Sequence, residues 1–396
     1  MLNDCLIIFS LVTIFYMSLH ILTMFYIYQG AYLDKKMSSE IEMNIKIKIA
    51  IAISVRNEES VIGNCIISIK EQKYHNLLYD IFVIADNCSD NTVTICQNLD
   101  AICITRIGNE RAGKVGAISE LFRHIKKHNN YYGILLLDAD DLLDHNVFQK
   151  LEKEIYKNKF SIIQFKILPA TNLKKLTMSE KIKTLHYASI AMRSQGAFSQ
   201  NLYWETDQHG IFFNMHIIEN GFTWYSEKYA FDFQWAIRLL LLGYRFSYVN
   251  NAIIYTEINK KINADFKQTF RWSIYKSQLR IFIPVLLKNW IKSGRKIFLF
   301  AAWDIIKLSN LLIVFLIFIN LIIGIYYKLY VLVIISLILI GFTQMIIFKI
   351  LKWNKLDYKL LLSYLVLPLY SLLRLGAGIY YIFSSQKTPM GFIRKR

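Results

Sequence analysis

The chain has 396 residues and a formal net charge of +18, from 47 Lys and Arg residues against 29 Asp and Glu residues. Hydrophobic residues make up 54% of the chain and only 4 residues are proline, which excludes disordered and collagen-like proteins. The length allows roughly two domains. The basic residues form no dense run and no nucleic-acid fold signature is present, so nucleic acid is not an expected partner. Membrane lipid is the expected partner of this charge.

The first apolar segment predicts a transmembrane anchor. Residues 5–33 contain no Lys, Arg, Asp or Glu, and about 20 apolar residues are enough to cross a hydrocarbon core. A cleaved signal peptide is the alternative, but it would begin with basic residues and end at a small-residue cleavage site. This chain begins Met-Leu-Asn-Asp. Lys35 and Lys36 follow the segment, which places the next domain in the cytoplasm by the positive-inside bias.

Strand and helix patterns alternate through the next region, residues 45–274. Ile recurs at every second position of residues 46–55, which predicts a strand, and residues 58–69 have a helical pattern. Further strands are predicted at 79–85, 101–105 and 131–137, and further helices at 92–99 and 113–128. The alternation predicts an α/β fold with a mainly parallel sheet and helices on both faces.

Polar residues follow the predicted strands, at the edge of the sheet where α/β proteins bind ligands. Arg-Asn-Glu-Glu at 56–59 follows the first strand, and Asp-Ala-Asp-Asp at 138–141 follows the fourth. The second strand is followed by Asp-Asn-Cys-Ser-Asp-Asn-Thr at 86–92. Neither a dinucleotide fingerprint nor a P-loop motif is present. A carboxylate-lined edge favours Mg²⁺ or Mn²⁺ shared with the phosphates of a substrate.

Asp138 and Asp140 are the first candidates for the metal. In an extended segment, residues i and i+2 point the same way, so both carboxylates would reach one cation. Taken alone, such a pair is no more often a metal site than a solvated loop or a helix cap. Asp144 is the expected cap of a helix that begins at His145, which leaves the pair without that second explanation. Three histidines have no metal-ligand spacing, which favours surface or core roles: His186, His209 and His216.

The C-terminal part predicts a transmembrane hairpin. Two uncharged stretches within residues 308–348 are separated only by Lys328, and the basic loop at 349–359 marks the return to the cytoplasm. A third apolar segment, 360–383, is interrupted by a proline and an arginine. We expect it to be interfacial or re-entrant rather than a further span, and the basic tail 384–396 follows it.

Apolar and basic side chains are interleaved in residues 275–306, between the central region and the hairpin. The pattern predicts amphipathic helices in the lipid headgroup layer, with Trp290 and Trp303 as interface anchors. The alternative is that these helices belong to the core of the soluble domain.

Six fragments of the central region occur in the order of a known family. They are VRNEE at 55–59, ADNCSDNT at 85–92, GK at 113–114, LDADD at 137–141, FDFQWAIRL at 231–239 with GYR at 243–245, and QTFRW at 268–272. The chain resembles the membrane-bound family-2 glycosyltransferases, which include cellulose, chitin, hyaluronan and poly-N-acetylglucosamine synthases. Ceramide glucosyltransferase shares much of the pattern. The resemblance implies a GT-A fold and inverting transfer from a nucleotide-diphosphate sugar.

The resemblance also implies roles for residues on the donor side. Asp86 matches the carboxylate that contacts the nucleobase, with Asn57 and Glu58 beside the nucleoside. Lys114 is similar to the basic residue near the donor phosphates. The D-x-D pair at 138–140 matches the residues that hold Mg²⁺ or Mn²⁺ on the diphosphate.

On the acceptor side, the resemblance makes Asp232 the general base. Arg271 would neutralise the leaving diphosphate and Trp272 would stack on the acceptor sugar, with Gln268 in the same motif. These residue types suit a displacement that deprotonates the acceptor and releases negative charge. Without the resemblance, Asp232 would be read as a helix start, and the Arg271-Trp272 pair as a membrane-interface anchor.

The fragments depart from the family pattern on the acceptor side. The motif that usually reads Thr-Glu-Asp is Ala230-Phe231-Asp232, Gln234 replaces a frequent carboxylate, and Asn214 stands where an Arg is common. The donor fragments are intact. The acceptor is therefore the less defined of the two substrates.

Two functions remain open, both for an integral protein of the cell membrane with a cytoplasmic catalytic domain. The first is extension of a polysaccharide from a nucleotide-sugar donor, expected to be a UDP-sugar. The second is a single transfer to a membrane lipid. A non-catalytic sugar-binding membrane protein is a third, weaker reading. Three secure spans are few for a polymer channel, so processive synthesis would need an oligomer or an accessory subunit.

Overall fold

The computed structural model describes residues 2–33, 47–72, 77–108, 113–128, 130–157, 161–170, 176–220, 231–258, 279–307, 310–357 and 360. Three of the predicted site residues lie outside these stretches: Gln268, Arg271 and Trp272. The apolar segment beyond residue 360 and the basic tail 384–396 lie outside them as well.

Four strands form the parallel part of the sheet: β1 (Ile47–Val55), β2 (Leu77–Asp86), β3 (Ile102–Arg106) and β4 (Gly133–Asp138). They lie in the order β3-β2-β1-β4, and each is within a few residues of its predicted position. Strand β1 is buried along almost all of its length, as expected when helices cover both faces of a parallel sheet. Three crossover helices connect these strands: α2 (Ile62–Lys70), α3 (Thr92–Asn98) and α4 (Gly113–Lys126).

The remaining strands make the whole sheet mixed rather than mainly parallel. They are β5 (Asp141–Leu143), β6 (Ile162–Pro169), β7 (Ile211–Asn214) and β8 (Phe246–Thr256). The complete order is β3-β2-β1-β4-β7-β6-β8-β5, and β7 runs antiparallel to both β4 and β6. A Cβ at Gly133 would lie 2.3 Å from the carbonyl oxygen of Phe213, so only glycine allows this approach of β4 and β7.

Two apolar cores lie on the two faces of the sheet, because successive side chains of a strand point to opposite faces. Ala50 and Ala52 of β1 belong to the core that includes α4 and α8 (Phe231–Leu241). Ile49, Ile51 and Ile53 belong to the core that includes α2 and α5 (Val147–Tyr156). Helix α5 follows Asn146 at the capping position, so the prediction of a helix capped by Asp144 was wrong.

Helix α1 (Leu2–Leu33) packs against α6 (Met178–Ser199) of the central domain. The crossing is close because glycines face each other: a Cβ at Gly196 would lie 1.9 Å from the carbonyl oxygen of Ile27. The hydroxyl groups of Tyr28 and Ser189 lie 2.8 Å apart across the same contact. The N-terminal apolar helix is therefore joined to the domain by direct packing.

Two short helices follow the central domain, α9 (Ile283–Ser293) and α10 (Lys296–Ile306), separated by Gly294 in the left-handed conformation with φ of 66°. Leu286, Ala301 and Ile305 are buried in the core of the domain. One face of each helix is thus domain core, which was the alternative reading of residues 275–306. Other apolar side chains, including Ile291 at 78% exposure, remain on the surface.

The chain then forms helices α11 (Asn310–Tyr326) and α12 (Tyr330–Asn354), which pack against α1. Among the described residues, two helices are long and apolar enough to cross a membrane: residues 5–32, with a mean hydropathy of 2.3, and α12, with 2.7. Helix α11 has a shorter apolar run, Leu316–Tyr326. Lys349 and Lys352 were expected in a loop but lie in the last turns of α12.

Candidate active site

The loops after β1 and β2 are joined by hydrogen bonds. Asn57 has a φ of 55°, and its side-chain oxygen accepts a hydrogen bond of 2.7 Å from the backbone N–H of Ser89. The backbone N–H of Glu58 donates to the hydroxyl of Thr92 at 2.9 Å. The structure therefore brings Asn57 and Glu58 beside the loop that begins at Asp86, as expected for one binding surface.

Asp86 is buried at the end of β2 and is paired with a residue that the sequence did not indicate. Arg106, at the end of β3, donates from Nη1 to Oδ1 of Asp86 at 2.8 Å. Asn87 donates to the same oxygen at 3.0 Å. Both contacts engage Oδ1 and orient the carboxylate. The parallel pairing of Asp86 with Arg106 explains this contact, but 20 residues separate them in the sequence.

The D-x-D pair lies at a turn between two strands. Asp138 is the last residue of β4, Asp140 lies in the turn, and Asp141 begins β5. The backbone N–H of Asp138 donates to Oδ2 of Asp141 at 2.9 Å. The turn replaces the extended geometry expected from the sequence, and the third aspartate holds it together.

Lys114 reaches this turn from the first turn of α4. Its Nζ lies 2.5 Å from Oδ1 of Asp138. Helix α4 begins at the same edge of the sheet at which β4 ends, because the β3–α4–β4 crossover connects two parallel strands of one sheet. A cation in the first turn of a helix opposes the helix dipole, so a role beyond helix stability is favoured.

Asp141 and His209 form a buried pair behind the turn. Nδ1 of His209 lies 2.8 Å from Oδ2 of Asp141, and the Asp141 side chain is fully buried. Burial raises the pKa of the Asp141 carboxyl. Burial lowers the pKa of His209, but the carboxylates of Asp141 and Asp138 outweigh it and raise that pKa to about 10. His209 therefore has a specific electrostatic partner, unlike the plain surface or core role expected of it.

The site fits a divalent cation that the substrate helps to hold. Asp138 and Asp140 offer carboxylate oxygens at one turn, and Oδ1 of Asp141 is a buried oxygen with no hydrogen-bond partner among the described residues. No group of three or more His, Cys, Asp or Glu side chains is arranged around one point in the described part of the chain. Mg²⁺ and Mn²⁺ are often held by one or two carboxylates and completed by substrate phosphates and water.

Helix α6 carries Tyr187 within the electrostatic influence of the carboxylate turn. Burial raises the pKa of Tyr187, and the negative charges of Asp207, Asp140 and Asp141 raise it further. The backbone N–H of Asp207 donates to the side chain of Gln164 on β6 at 2.9 Å. No local sequence pattern indicated Tyr187 or Asp207, because the packing of α6 places Tyr187 and the contact with β6 places Asp207.

The structure describes only part of the predicted acceptor side. Asp232 is the second residue of α8, and its side chain lies outside the description. Trp235, Ile237 and Leu239 on the same helix are buried in the domain core, so the helix is a firm support for residue 232. The roles of Asp232, Gln268, Arg271 and Trp272 stay predictions.

Residues 50–231 match the model of the family described as Glycosyl transferase family 2. The chain carries a family-2 glycosyltransferase domain. A probable glucomannan 4-beta-mannosyltransferase of Arabidopsis thaliana is 24% identical over 227 residues, which are 53% of this chain. The chain spans 40% of the length of that plant protein. The family-2 assignment indicated by the six fragments is thereby confirmed for the domain, and the membrane-bound synthase-like subtype stays a prediction.

The fold is of the GT-A type. It is similar to the solved structure of the mannosyltransferase PcManGT from Pyrobaculum calidifontis in complex with GDP-Man and Mn²⁺, with a TM-score of 0.56. That likeness covers 95% of this chain and 99% of the other at 13% sequence identity. It therefore extends beyond the family-2 domain to the apolar helices on either side of it.

Proposed function

We propose that the chain is an inverting glycosyltransferase that moves a sugar from a nucleotide-diphosphate donor to an acceptor at the membrane surface. The observation that carries the proposal is the turn at 138–140. There, two carboxylates lie at the carboxyl edge of the sheet, and one of them, that of Asp138, lies 2.5 Å from the ammonium of Lys114. Carboxylates for a cation and an ammonium for a phosphate are the groups that a nucleotide diphosphate requires.

Asp138 and Asp140 would hold Mg²⁺ or Mn²⁺, which would screen the charge of the donor diphosphate. Asn57, Glu58 and Asp86 would contact the nucleoside, because their loops are joined beside the same edge of the sheet. The pairing with Arg106 would hold the Asp86 carboxylate oriented towards the base.

In the transfer step, an acceptor hydroxyl oxygen attacks the anomeric carbon of the donor sugar. The bond from that carbon to the diphosphate oxygen breaks, and the proton of the hydroxyl passes to Asp232. Lys114 and Arg271 would stabilise the charge of the leaving nucleotide diphosphate. Trp272 would present an aromatic face to the acceptor sugar, whose C–H groups are apolar.

The comparisons support a hexose donor. They favour GDP-mannose over the UDP-sugars that the sequence predicts. The plant relative is named as a mannosyltransferase, and the similar structure contains GDP-Man with Mn²⁺. We propose a nucleotide-diphosphate hexose as the donor, with GDP-mannose first and UDP-hexoses second. Both bind through a diphosphate, which the carboxylate turn and Lys114 suit equally.

The membrane placement rests on α1, α11 and α12. Helices α1 and α12 have the length and hydropathy of spans, and α11 packs beside them. Lys35, Lys36 and the basic residues at the end of α12 favour a cytoplasmic location for the domain. We propose a growing polysaccharide as the acceptor. The second candidate, a single transfer to a membrane lipid, is favoured by the small number of apolar helices in the described part of the chain.

The test is a screen of nucleotide sugars against protein purified in detergent, with released nucleotide as the readout. We expect one donor to give metal-dependent release with added membrane extract as the acceptor source. The same reaction run with Asp140→Asn protein is the control for contaminating hydrolases. Products that form a ladder on a gel support the polysaccharide, and a single lipid-soluble product supports the second candidate. Metal-independent release, or none with any donor, would contradict the proposal.

A further inference from the structure

Lys166 is a buried lysine on β6 with no anionic partner in the described part of the chain. The residue is 6% exposed, and its Nζ lies 4.6 Å from the centre of the Trp353 ring. No described carboxylate lies within 4.0 Å of this ammonium. Burial and the charge of Lys355 lower the pKa of Lys166 to about 8. A buried ammonium loses more hydration free energy than one aromatic ring returns, so this environment lacks an anion.

An irregularity in the sheet occurs at this lysine. Strand β6 pairs in parallel with β8, and Phe165 lies opposite Val249. The register then shifts, and Lys166 lies opposite Ile253. Such irregularities re-aim side chains and are frequent next to functional sites. The extra residues, 250–252, lie on β8, so the irregularity occurs beside Lys166 while β6 itself continues without an insertion.

The last turn of α12, which carries Trp353, is held by contacts with two other helices. Its indole N–H donates to the carbonyl oxygen of Ala31 near the end of α1, at 3.3 Å. The neighbouring Asn354 donates to the carbonyl oxygen of Ala188 on α6, at 3.0 Å. The last turns of α1 and α12 therefore meet α6 and β6 at one corner of the molecule, and the lysine lies within that corner.

The corner carries further positive charge. Lys349, Lys352 and Lys355 lie on or directly after the last turns of α12, and Asp357 is the only carboxylate between residues 349 and 360. Cations are expected at the C-terminus of a helix, where the dipole favours them, so these three need no further explanation. Lys166 does need a further explanation, because it lies on a strand of the sheet and adds a buried positive charge.

We propose that Lys166, Lys355 and Trp353 form a binding site for the phosphate group of a membrane lipid. A phosphate brings the negative charge and acceptor oxygens that two ammonium groups require. Tryptophan and lysine at the end of an apolar helix mark the membrane–water interface, where anionic lipid headgroups are concentrated. The phosphate chemistry rests on Lys166, whereas the lipid as its source rests on the proposed membrane placement of α1 and α12.

Native mass spectrometry of the detergent-purified chain tests the site with three probes: dioctanoyl phosphatidic acid, dioctanoyl phosphatidylcholine and inorganic phosphate. We expect wild-type protein to bind one phosphatidic acid in preference to the other two. Lys166→Met should weaken that binding about 10-fold or more, since a charged hydrogen bond is lost. Lys127→Met, which changes an exposed lysine directly after α4, is the matched control and should bind as wild type.

A stability measurement separates a binding role from a structural one. Without lipid, Lys166→Met should melt at the same temperature as wild type or higher, because it removes an uncompensated buried charge. Phosphatidic acid should raise the melting temperature of wild type and not that of the variant. Unchanged phosphatidic acid binding by Lys166→Met overturns the proposal, as does inorganic phosphate that binds as tightly as the lipid. Lower stability of the lipid-free variant overturns it as well.

The test of the lipid site is independent of the proposed transferase activity. Retention of the protein in membranes after alkaline washing and donor turnover are measured on the same preparations. A chain that stays in the membrane and releases nucleotide but ignores phosphatidic acid refutes the lipid site alone. A chain that is washed out of membranes refutes the membrane placement and, with it, the lipid as the source of the phosphate.

Discussion

Nζ of Lys114 and Oδ1 of Asp138 form an ion pair of 2.5 Å at the edge of the sheet. The ammonium therefore neutralises one of the two carboxylates proposed to hold the metal. A divalent cation must compete with Lys114 for that oxygen. A donor diphosphate would offer the ammonium a new partner and release Asp138, so donor and metal binding should be coupled.

Replacement of Lys114 by Met tests this coupling. Mn²⁺ should bind the donor-free variant more tightly than wild type, because the competing cation is gone. Donor affinity in the presence of Mn²⁺ should fall about 10-fold, which corresponds to about 1.4 kcal/mol. Calorimetric titration of Mn²⁺ and of the donor measures both. Lys126→Met, at the other end of α4, should change neither, and opposite shifts in the Lys114 variant would contradict the coupling.

Asp140→Asn keeps the size of the side chain and removes its charge. Activity should drop by orders of magnitude, and donor binding should lose its dependence on Mg²⁺ or Mn²⁺, since one of two proposed metal ligands is weakened. Asp144→Asn is the control, because Asp144 accepts a hydrogen bond from His145 N–H outside the turn. Turnover measured across a metal titration decides the matter, and near-normal metal-dependent turnover of the Asp140 variant would show the assignment to be wrong.

The Asp141–His209 pair predicts that a double variant is more stable than the single variant His209→Ala. His209→Ala leaves a fully buried carboxylate without its partner, and breaking a buried pair costs about 3–5 kcal/mol. Adding Asp141→Asn to that variant removes the buried charge and should restore part of the loss. Melting temperatures in detergent of the wild type, of His209→Ala and of the double variant measure both effects. If the double variant is less stable than His209→Ala alone, the two side chains are not electrostatically coupled.

Asp232→Asn tests the general base. Loss of a general base costs about 10²–10⁴-fold in rate, whereas metal-dependent donor affinity should stay near the wild-type value, unlike in the Asp140 variant. Single-turnover rates and donor titrations give the two quantities separately. Glu219→Gln, an exposed carboxylate on α7 (Met215–Glu219), is the control. Equal losses of rate and donor affinity would place Asp232 in the donor site.

The proposed topology places α4 in the cytoplasm and the start of α1 outside. In cells that express the chain, a membrane-impermeant maleimide should label Asn3→Cys above the background of the parent protein. It should label Lys127→Cys, an exposed position after α4, only once the membrane is opened. Labelling of Lys127→Cys in intact cells would reverse the topology.

Local patterns in the sequence were enough to locate most elements of the domain. The period of two in β1 and the apolar helical patterns of α2 and α4 depend on neighbouring residues, so the alternation of faces within each element produces them directly. The carboxylates at 138–140 could be found for the same reason, since they follow a buried strand. The long uncharged runs at the two ends of the chain likewise indicated their helices without any knowledge of the fold.

Only the tertiary structure decided which distant residues meet. The antiparallel insertion of β7 between β4 and β6 makes the sheet mixed, and it brings His209 to Asp141 across 68 positions. The contact of Lys166 with Trp353 joins a strand of the domain to an apolar helix near the other end of the chain. Neither contact can be recognised from a periodic pattern in the sequence. Each depends on how whole elements pack and not on the neighbouring residues in the chain. The sequence determined most of the elements and the position of the carboxylates, and the packing of those elements determined their geometry and their partners.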